Sequence, residues 1–252
     1  PDFVLWRDVC SYGYFVLEPN LWIPGLGNAS AAGKGGTFRR VLDLGPDGPV
    51  TLQITQAGGR GTDLMVVADV AVSAKAKRLA DEQLSRMLRL DESVENLKAF
   101  HALDPRHKKS GRGRLFRSAS FFEDVLKTVT SCNVTWPSTV VMNRKLCATF
   151  GRGGAFPVPE VLARQVPATL RAQCSVGYRD TRIVQLSEMF RDGAVNEAWL
   201  AASVTSDFAA IGLSCGSFMR PRRGQRGRGS VRKWPARLRL RRSRRPWTSI
   251  VR

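Results

Sequence analysis

Apolar residues strictly alternate with polar ones over Val50 to Thr55 of this chain, with short strand-like apolar runs on either side, and from Ser73 onward they recur every three or four positions. A period of two builds half-buried strands and a period of 3.6 builds amphipathic helices. One change of period predicts a sheet followed by helices, not strands and helices interleaved. The expected class is α+β: an antiparallel N-terminal β-meander, then an all-helical region. With 252 residues, 43% of them hydrophobic, the chain can bury a real core. That excludes collagen-like, wholly disordered and coiled-coil organisations. No run approaches the ~18 consecutive apolar residues of a membrane helix, so a soluble or at most peripheral protein is expected.

Arg39 to Leu44, the turn Gly45-Pro46-Asp47-Gly48 and Val50 to Thr55 read as strand, turn and strand, with Val50, Leu52 and Ile54 on one face. A second turn, Ala57 to Gly61, leads to a strand over Asp63 to Val70, and Tyr14 to Leu17 is expected to extend the meander upstream. Gly25 to Gly36 reads as a loop; Gly33-Lys34-Gly35 lacks phosphate-loop spacing. Ala76, Ala80, Leu84, Met87 and Leu88 form one helical stripe, a short helix follows over Ser93 to Leu103, and Asp104 to Arg114 is a polar loop holding His107-Lys108-Lys109. Ser120 reads as an N-cap with Glu123 closing a capping box, opening a helix whose stripe is Phe122, Val125, Leu126, Val129 and Cys132. Further helices are expected from near Ser138 to Gly151, over Glu160 to Arg164, Leu170 to Gln173, and Arg179 to Arg191. The implied organisation is a β-rich domain over 1–74, a helical domain over 75–200, and an Arg-rich tail over 201–252, disordered when alone.

Charge divides along the same line. The net charge is +19, but Phe208 to Arg252 alone holds 13 Arg and one Lys with no carboxylate, giving +14. The rest, with 26 basic and 21 acidic residues, carries +5. A mildly basic body fits a nucleic-acid binder without demanding one. The five cysteines (10, 132, 147, 174, 215) are widely spaced with no C-x-x-C, and His101 and His107 are the only histidines. A reducing compartment and no structural metal are expected, with the cysteines as small buried hydrophobes.

Phe121-Phe122-Glu123-Asp124-Val125-Leu126 with Ser131-Cys132-Asn133, Leu146 to Gly151, Phe156-Pro157-Val158-Pro159-Glu160, and Leu170 to Arg179 with its Gly177-Tyr178-Arg179 end follow one another in this order. The series resembles the helix-hairpin-helix-GPD superfamily of base-excision DNA glycosylases, in its 8-oxoguanine and 3-methyladenine branches and above all in plant members. It covers roughly Asp2 to Leu200. The resemblance implies a monomeric DNA-repair hydrolase in the nucleus, without cofactor, metal or membrane. Its partner would be duplex DNA with a damaged purine, flipped out before its N-glycosidic bond is hydrolysed.

By the same resemblance, Asn133 would fill the void left by the flipped base, and Tyr178 and Arg179 would wedge beside and hydrogen-bond the orphan partner. Asn133, Tyr178, Arg179 and Arg182 are the expected DNA-contacting set. Read alone, the residues favour Asn133 as a helix C-cap, Tyr178 as half-buried packing, and Arg179 with Arg182 as a solvated helix start. Trp136-Pro137-Ser138 stands where the 8-oxoguanine branch carries a second arginine. The Leu-Pro-Gly-x-Gly hairpin, lysine and catalytic aspartate of the family do not follow; Gly212-Leu213-Ser214-Cys215-Gly216 is not that hairpin, and no carboxylate lies after Asp207. No catalytic residue is assigned, and the chain is expected to leave the family's reading near Leu200 through truncation or a change of frame. The rival expectation is a non-enzymatic, basic nucleic-acid-binding protein whose Arg-rich tail grips phosphates.

Overall fold

A computed structural model describes residues 3–25, 35–56 and 63–198. The centre of the Gly25 to Gly36 loop, the whole Ala57 to Gly61 turn, Asp207, Cys215 and the Arg-rich tail lie outside the described residues. Pro1–Glu197 form one compact unit of mixed α+β character. Helix α1 (Leu5–Val9) precedes strands β1 (Asn20–Pro24), β2 (Gly36–Asp43), β3 (Pro49–Gln56) and β4 (Leu64–Ala68). Helices α2 (Ala74–Leu88), α3 (Val94–Leu103), α4 (Phe121–Ser131), α5 (Trp136–Phe150), α6 (Pro159–Leu162), α7 (Pro167–Cys174) and α8 (Asp180–Arg191) follow.

The strands form an antiparallel sheet in sequence order, with Trp22 opposite Phe38, Phe38 opposite Ile54, and Leu52 opposite Ala68. Tyr14 to Leu17 is not a strand. Gly13–Val16 is a 3-10 turn, and the Tyr14 carbonyl accepts from the Leu17 N–H and from Asn20 Nδ2, both at 3.0 Å. With that carbonyl satisfied within the turn, strand pairing begins only at Asn20.

Helix α2 starts at Ser73, whose hydroxyl accepts from the Ala76 N–H. Its stripe of Ala76, Ala80, Leu84, Met87 and Leu88 joins Phe38, Leu52 and Ile54 in one apolar cluster, so this helix packs with the sheet. A second cluster, including Phe122, Leu126, Met142, Leu146, Leu170 and Ile183, lies among α4 to α8. Cys147 and Cys174 are buried there, and burial pushes the Cys147 thiol up to about 12. Cys10 and Cys132 are only half-buried, contrary to the expectation for all the cysteines.

Helix α4 departs from its expected pattern. Ser120 caps it, accepting from the Glu123 N–H at 3.2 Å, but the Glu123 carboxylate does not return to Ser120. It accepts from the Ala119 N–H at 3.3 Å and from both terminal nitrogens of Arg40, at 3.1 and 2.6 Å. Lys127 Nζ sits 2.7 Å from the same carboxylate as an ion pair without an aligned hydrogen bond. The buried stripe is therefore Phe122, Glu123, Leu126, Lys127 and Thr130, while Val125 and Val129 are half-buried. Arg40 occupies the core face of β2 between Phe38 and Leu42, so this fork joins the sheet to the helical cluster. Lys127 Nζ also lies 5.8 Å from the Tyr14 ring centre and 5.6 Å from that of Phe156, within cation–π range.

Helix α5 ends at Gly151, where a Cβ would lie 1.8 Å from the Ala155 carbonyl oxygen and 2.5 Å from that of Cys147. Both obstacles are backbone, so they cannot swing away. Gly151→Ala is expected to lower unfolding free energy in urea by on the order of 2–3 kcal/mol; a midpoint within error of wild type would contradict this close approach.

Candidate nucleic-acid interface

The turn from α4 to α5 is only four residues long, Cys132 to Thr135. A buried polar ladder fixes its base: Asn143 Nδ2 donates to Thr130 Oγ1 and to the Thr139 carbonyl, both at 2.9 Å, and Thr139 Oγ1 donates to the Thr130 carbonyl at 3.2 Å. Within the turn Asn133 takes the left-handed conformation, φ 52°, which asparagine tolerates better than most residues. Its amide is exposed. Thr135 and Ser138 share a hydroxyl hydrogen bond of 2.9 Å across the start of α5.

The turn from α7 to α8 reverses through two left-handed residues, Ser175 at φ 57° and Gly177 at φ 59°. Ser175 Oγ accepts from Lys145 Nζ at 2.7 Å, tying the turn to α5. A 3-10 turn over Gly177–Arg179 then leads into α8. Asp180 is buried and held by Arg171, whose Nε donates to it at 2.9 Å.

Arg179 laces the two turns together. It is only 4% exposed. Its Nε donates to the Val129 carbonyl at 3.1 Å, Nη1 to the Val176 carbonyl at 3.4 Å, and Nη2 to the Cys132 carbonyl and to Tyr178 Oη. Two of these carbonyls close the C-terminal end of α4, where helix geometry leaves acceptors without intrahelical partners and the dipole favours a cation. The guanidinium lies 4.4 Å from the centre of the Tyr178 ring, which rests on it and stays 55% exposed.

Of the four residues singled out in the sequence, Asn133 and Tyr178 are thus presented to solvent from turns joined through Arg179. Arg179 faces inward, and Arg182 is exposed one turn further along α8. The Thr130–Thr139–Asn143 ladder and the Lys145–Ser175 bond escaped the sequence reading. The i, i+4 spacing of Thr139 and Asn143 on the stripe of α5 was the available signal for the ladder. An exposed aromatic ring beside an exposed amide can stack on one base and hydrogen-bond another.

No protein-family model matches the sequence, and no curated protein matches it either. Solved structures do. A 3-methyladenine DNA-glycosylase from Archaeoglobus fulgidus is similar with a TM-score of 0.54 and 18% identity, over 74% of this chain and 64% of that one. MBOgg1 in complex with a low-affinity DNA ligand is similar with a TM-score of 0.50 and 16% identity, over 73% of this chain and 60% of that one. The chain therefore has a DNA-glycosylase-like fold and spans less than two thirds of each of these structures.

Proposed function

We propose that this chain binds duplex DNA at a damaged or missing base, as a homologue of the helix-hairpin-helix-GPD glycosylases, with Asn133 and Tyr178 entering the duplex and Arg182 on a phosphate. The observation that carries the reading is the Arg179 lacing, which holds an exposed amide and an exposed aromatic ring on adjoining turns. The neighbouring Asp180 is 2% exposed and engaged by Arg171, so it does not present a carboxylate to a sugar. Hydrolysis of an N-glycosidic bond needs a carboxylate to activate water or to stabilise an oxocarbenium-like transition state. The reading is therefore recognition of the lesion without base removal by the residues described.

Anisotropy titration of the chain with a labelled duplex containing an abasic-site analogue tests it. Tyr178→Ala is expected to weaken binding about 5- to 150-fold, the equivalent of ~1–3 kcal/mol for one stacked base. Equal affinity of wild type and variant would remove the support for a wedge. Strand cleavage after alkali on duplexes carrying 8-oxoguanine or an alkylated purine would instead make the chain an active glycosylase. Binding to intact and abasic duplex alike, with no effect of Tyr178→Ala, would favour a purely electrostatic nucleic-acid binder.

A further inference from the structure

Away from the Asn133–Tyr178 pair, α3 and the loop after it enclose a cleft of about 350 Å³ lined by Lys98, His101, Ala102 and Lys108. From Val94 to Arg114 six basic side chains (Lys98, Arg106, Lys108, Lys109, Arg112, Arg114) stand against two acidic ones (Glu95, Asp104). Asp104 is already engaged: Arg106 donates to it at 2.8 and 2.7 Å, and His107 Nε2 lies 3.5 Å away. Arg114 is buried against the Arg89 carbonyl. Lys98, Lys108, Lys109 and Arg112 are exposed, and none forms an ion pair with a carboxylate among the described residues.

The cleft has a fixed wall. His101 is 7% exposed, and its Nε2 lies 2.6 Å from the Arg112 carbonyl, which can only accept, so that nitrogen carries the hydrogen. The bond ties the far end of the loop to α3. Phe100 stacks on His107 with ring centres 5.6 Å apart and planes 16° from parallel, tying the near end. A loop dense in like charge is thereby held on the helix, with a lysine on each side of the gap. Holding cations together without counter-charges is unfavourable until an anion arrives.

We propose that this cleft is a phosphate-binding site for the sugar–phosphate backbone of nucleic acid, a contact additional to the Asn133–Tyr178 pair. It rests on the preceding reading only in taking nucleic acid as the partner. Lys98 and Lys108 flank the gap as compact point charges, and Lys109 and Arg112 continue the row along the loop. Such a row suits a chain of phosphates, which is gripped without reading sequence.

The test is the salt dependence of duplex binding by the full chain, wild type against Lys98→Gln/Lys108→Gln/Lys109→Gln. Each neutralised phosphate contributes about 0.9 to the slope of log K against log salt, so the variant is expected to lose about 2–3 from that slope. The charge-preserving Lys98→Arg/Lys108→Arg/Lys109→Arg should keep it. An unchanged slope in the glutamine variant overturns the proposal. Calorimetric binding of inorganic pyrophosphate that the glutamine variant abolishes, with the duplex slope intact, also overturns it and assigns the cleft to a soluble anion. Tyr178→Ala separates the two readings, because it should weaken binding with the slope retained. If it does so while the glutamine variant matches wild type, the cleft fails and the lesion site stands.

Discussion

Replacing Glu123 by alanine is expected to cost about 3–5 kcal/mol of folding free energy, because it leaves the buried Arg40 and Lys127 side chains facing each other as uncompensated cations. All three side chains are at most 2% exposed, so water cannot take over the lost role. Burial by itself would raise the Glu123 carboxyl, but Arg40 and Lys127 outweigh it and hold the group at about 2. Burial likewise pushes Lys127 below the ordinary lysine range, with Glu123 opposing. An unfolded glutamate titrates at ~4.3. Between that value and about 2 the unfolded chain binds a proton that the folded chain does not, so stability contributed by Glu123 is complete above ~5 and lost as pH falls through this window. Thermal melts from pH 6 to pH 2 should show a steep acid limb in the wild type and a shallower one in Glu123→Gln. Parallel limbs would mean that other carboxylates govern acid unfolding.

Arg179→Ala is expected to remove on the order of 2–4 kcal/mol of stability and at the same time to reduce affinity for an abasic duplex at least as far as Tyr178→Ala does. The stability loss follows from the Cys132 carbonyl, which loses its side-chain donor, and from the Val129 and Val176 carbonyls, which are left with the Cys132 and Arg179 backbone N–H groups alone. The affinity loss follows from a Tyr178 ring without its support and an Asn133 turn without its tie. Arg179→Lys should recover little, since an ammonium cannot reproduce a planar fork that reaches both turns. Tyr178→Ala, which removes a cation–π contact and one hydrogen bond at a half-exposed side chain, should cost only about 1 kcal/mol of stability. Urea unfolding and duplex titration on the same preparations separate the two effects. Normal duplex affinity in a folded Arg179→Ala would show that Arg179 has no part in presenting the pair.

Strands β2 and β3 were legible because each buries one face and so alternates in sequence, and β4 was legible only as an apolar run after a turn, since Met65, Val66 and Val67 are exposed. Strand β1 was not: Leu21 and Ile23 are 43% and 42% exposed, so its apolar residues do not mark the buried side. Helices α2 to α8 were legible, although α5 begins at Trp136, two residues before the expected start, with Pro137 in its first turn as helix starts tolerate, and the short α1 was not expected. In the site, Asn133 and Tyr178 could be singled out from a local series of residues. The inward course of Arg179 could not, because its partners at Val129 and Cys132 lie 50 and 47 residues away in sequence. An arginine at a helix start looks solvated until the neighbouring turn is known. The Arg40–Glu123–Lys127 fork did leave a trace. Arg40 has the parity of Phe38 and Leu42 in an alternating strand, and Glu123 and Lys127 are opposite charges four apart beside Phe122 and Leu126. Glu123 reads in sequence as the closing residue of a capping box, and Arg40 and Lys127 as ordinary polar positions, since neither half of the pattern reveals that the other completes it.

The fork also bears on how such a chain can change over time. Apolar layers tolerate exchange of one hydrophobic side chain for another, provided that volume is kept. A junction made by one cation on the sheet and an acid and a second cation on a helix does not. A sheet lacking the Arg40 guanidinium would leave Glu123 with Lys127 alone, and a helix lacking Glu123 would turn Arg40 into a buried stray charge. The two halves are consequently a matched set, and a chimaera that swaps either one must carry its side of the charge pattern with it.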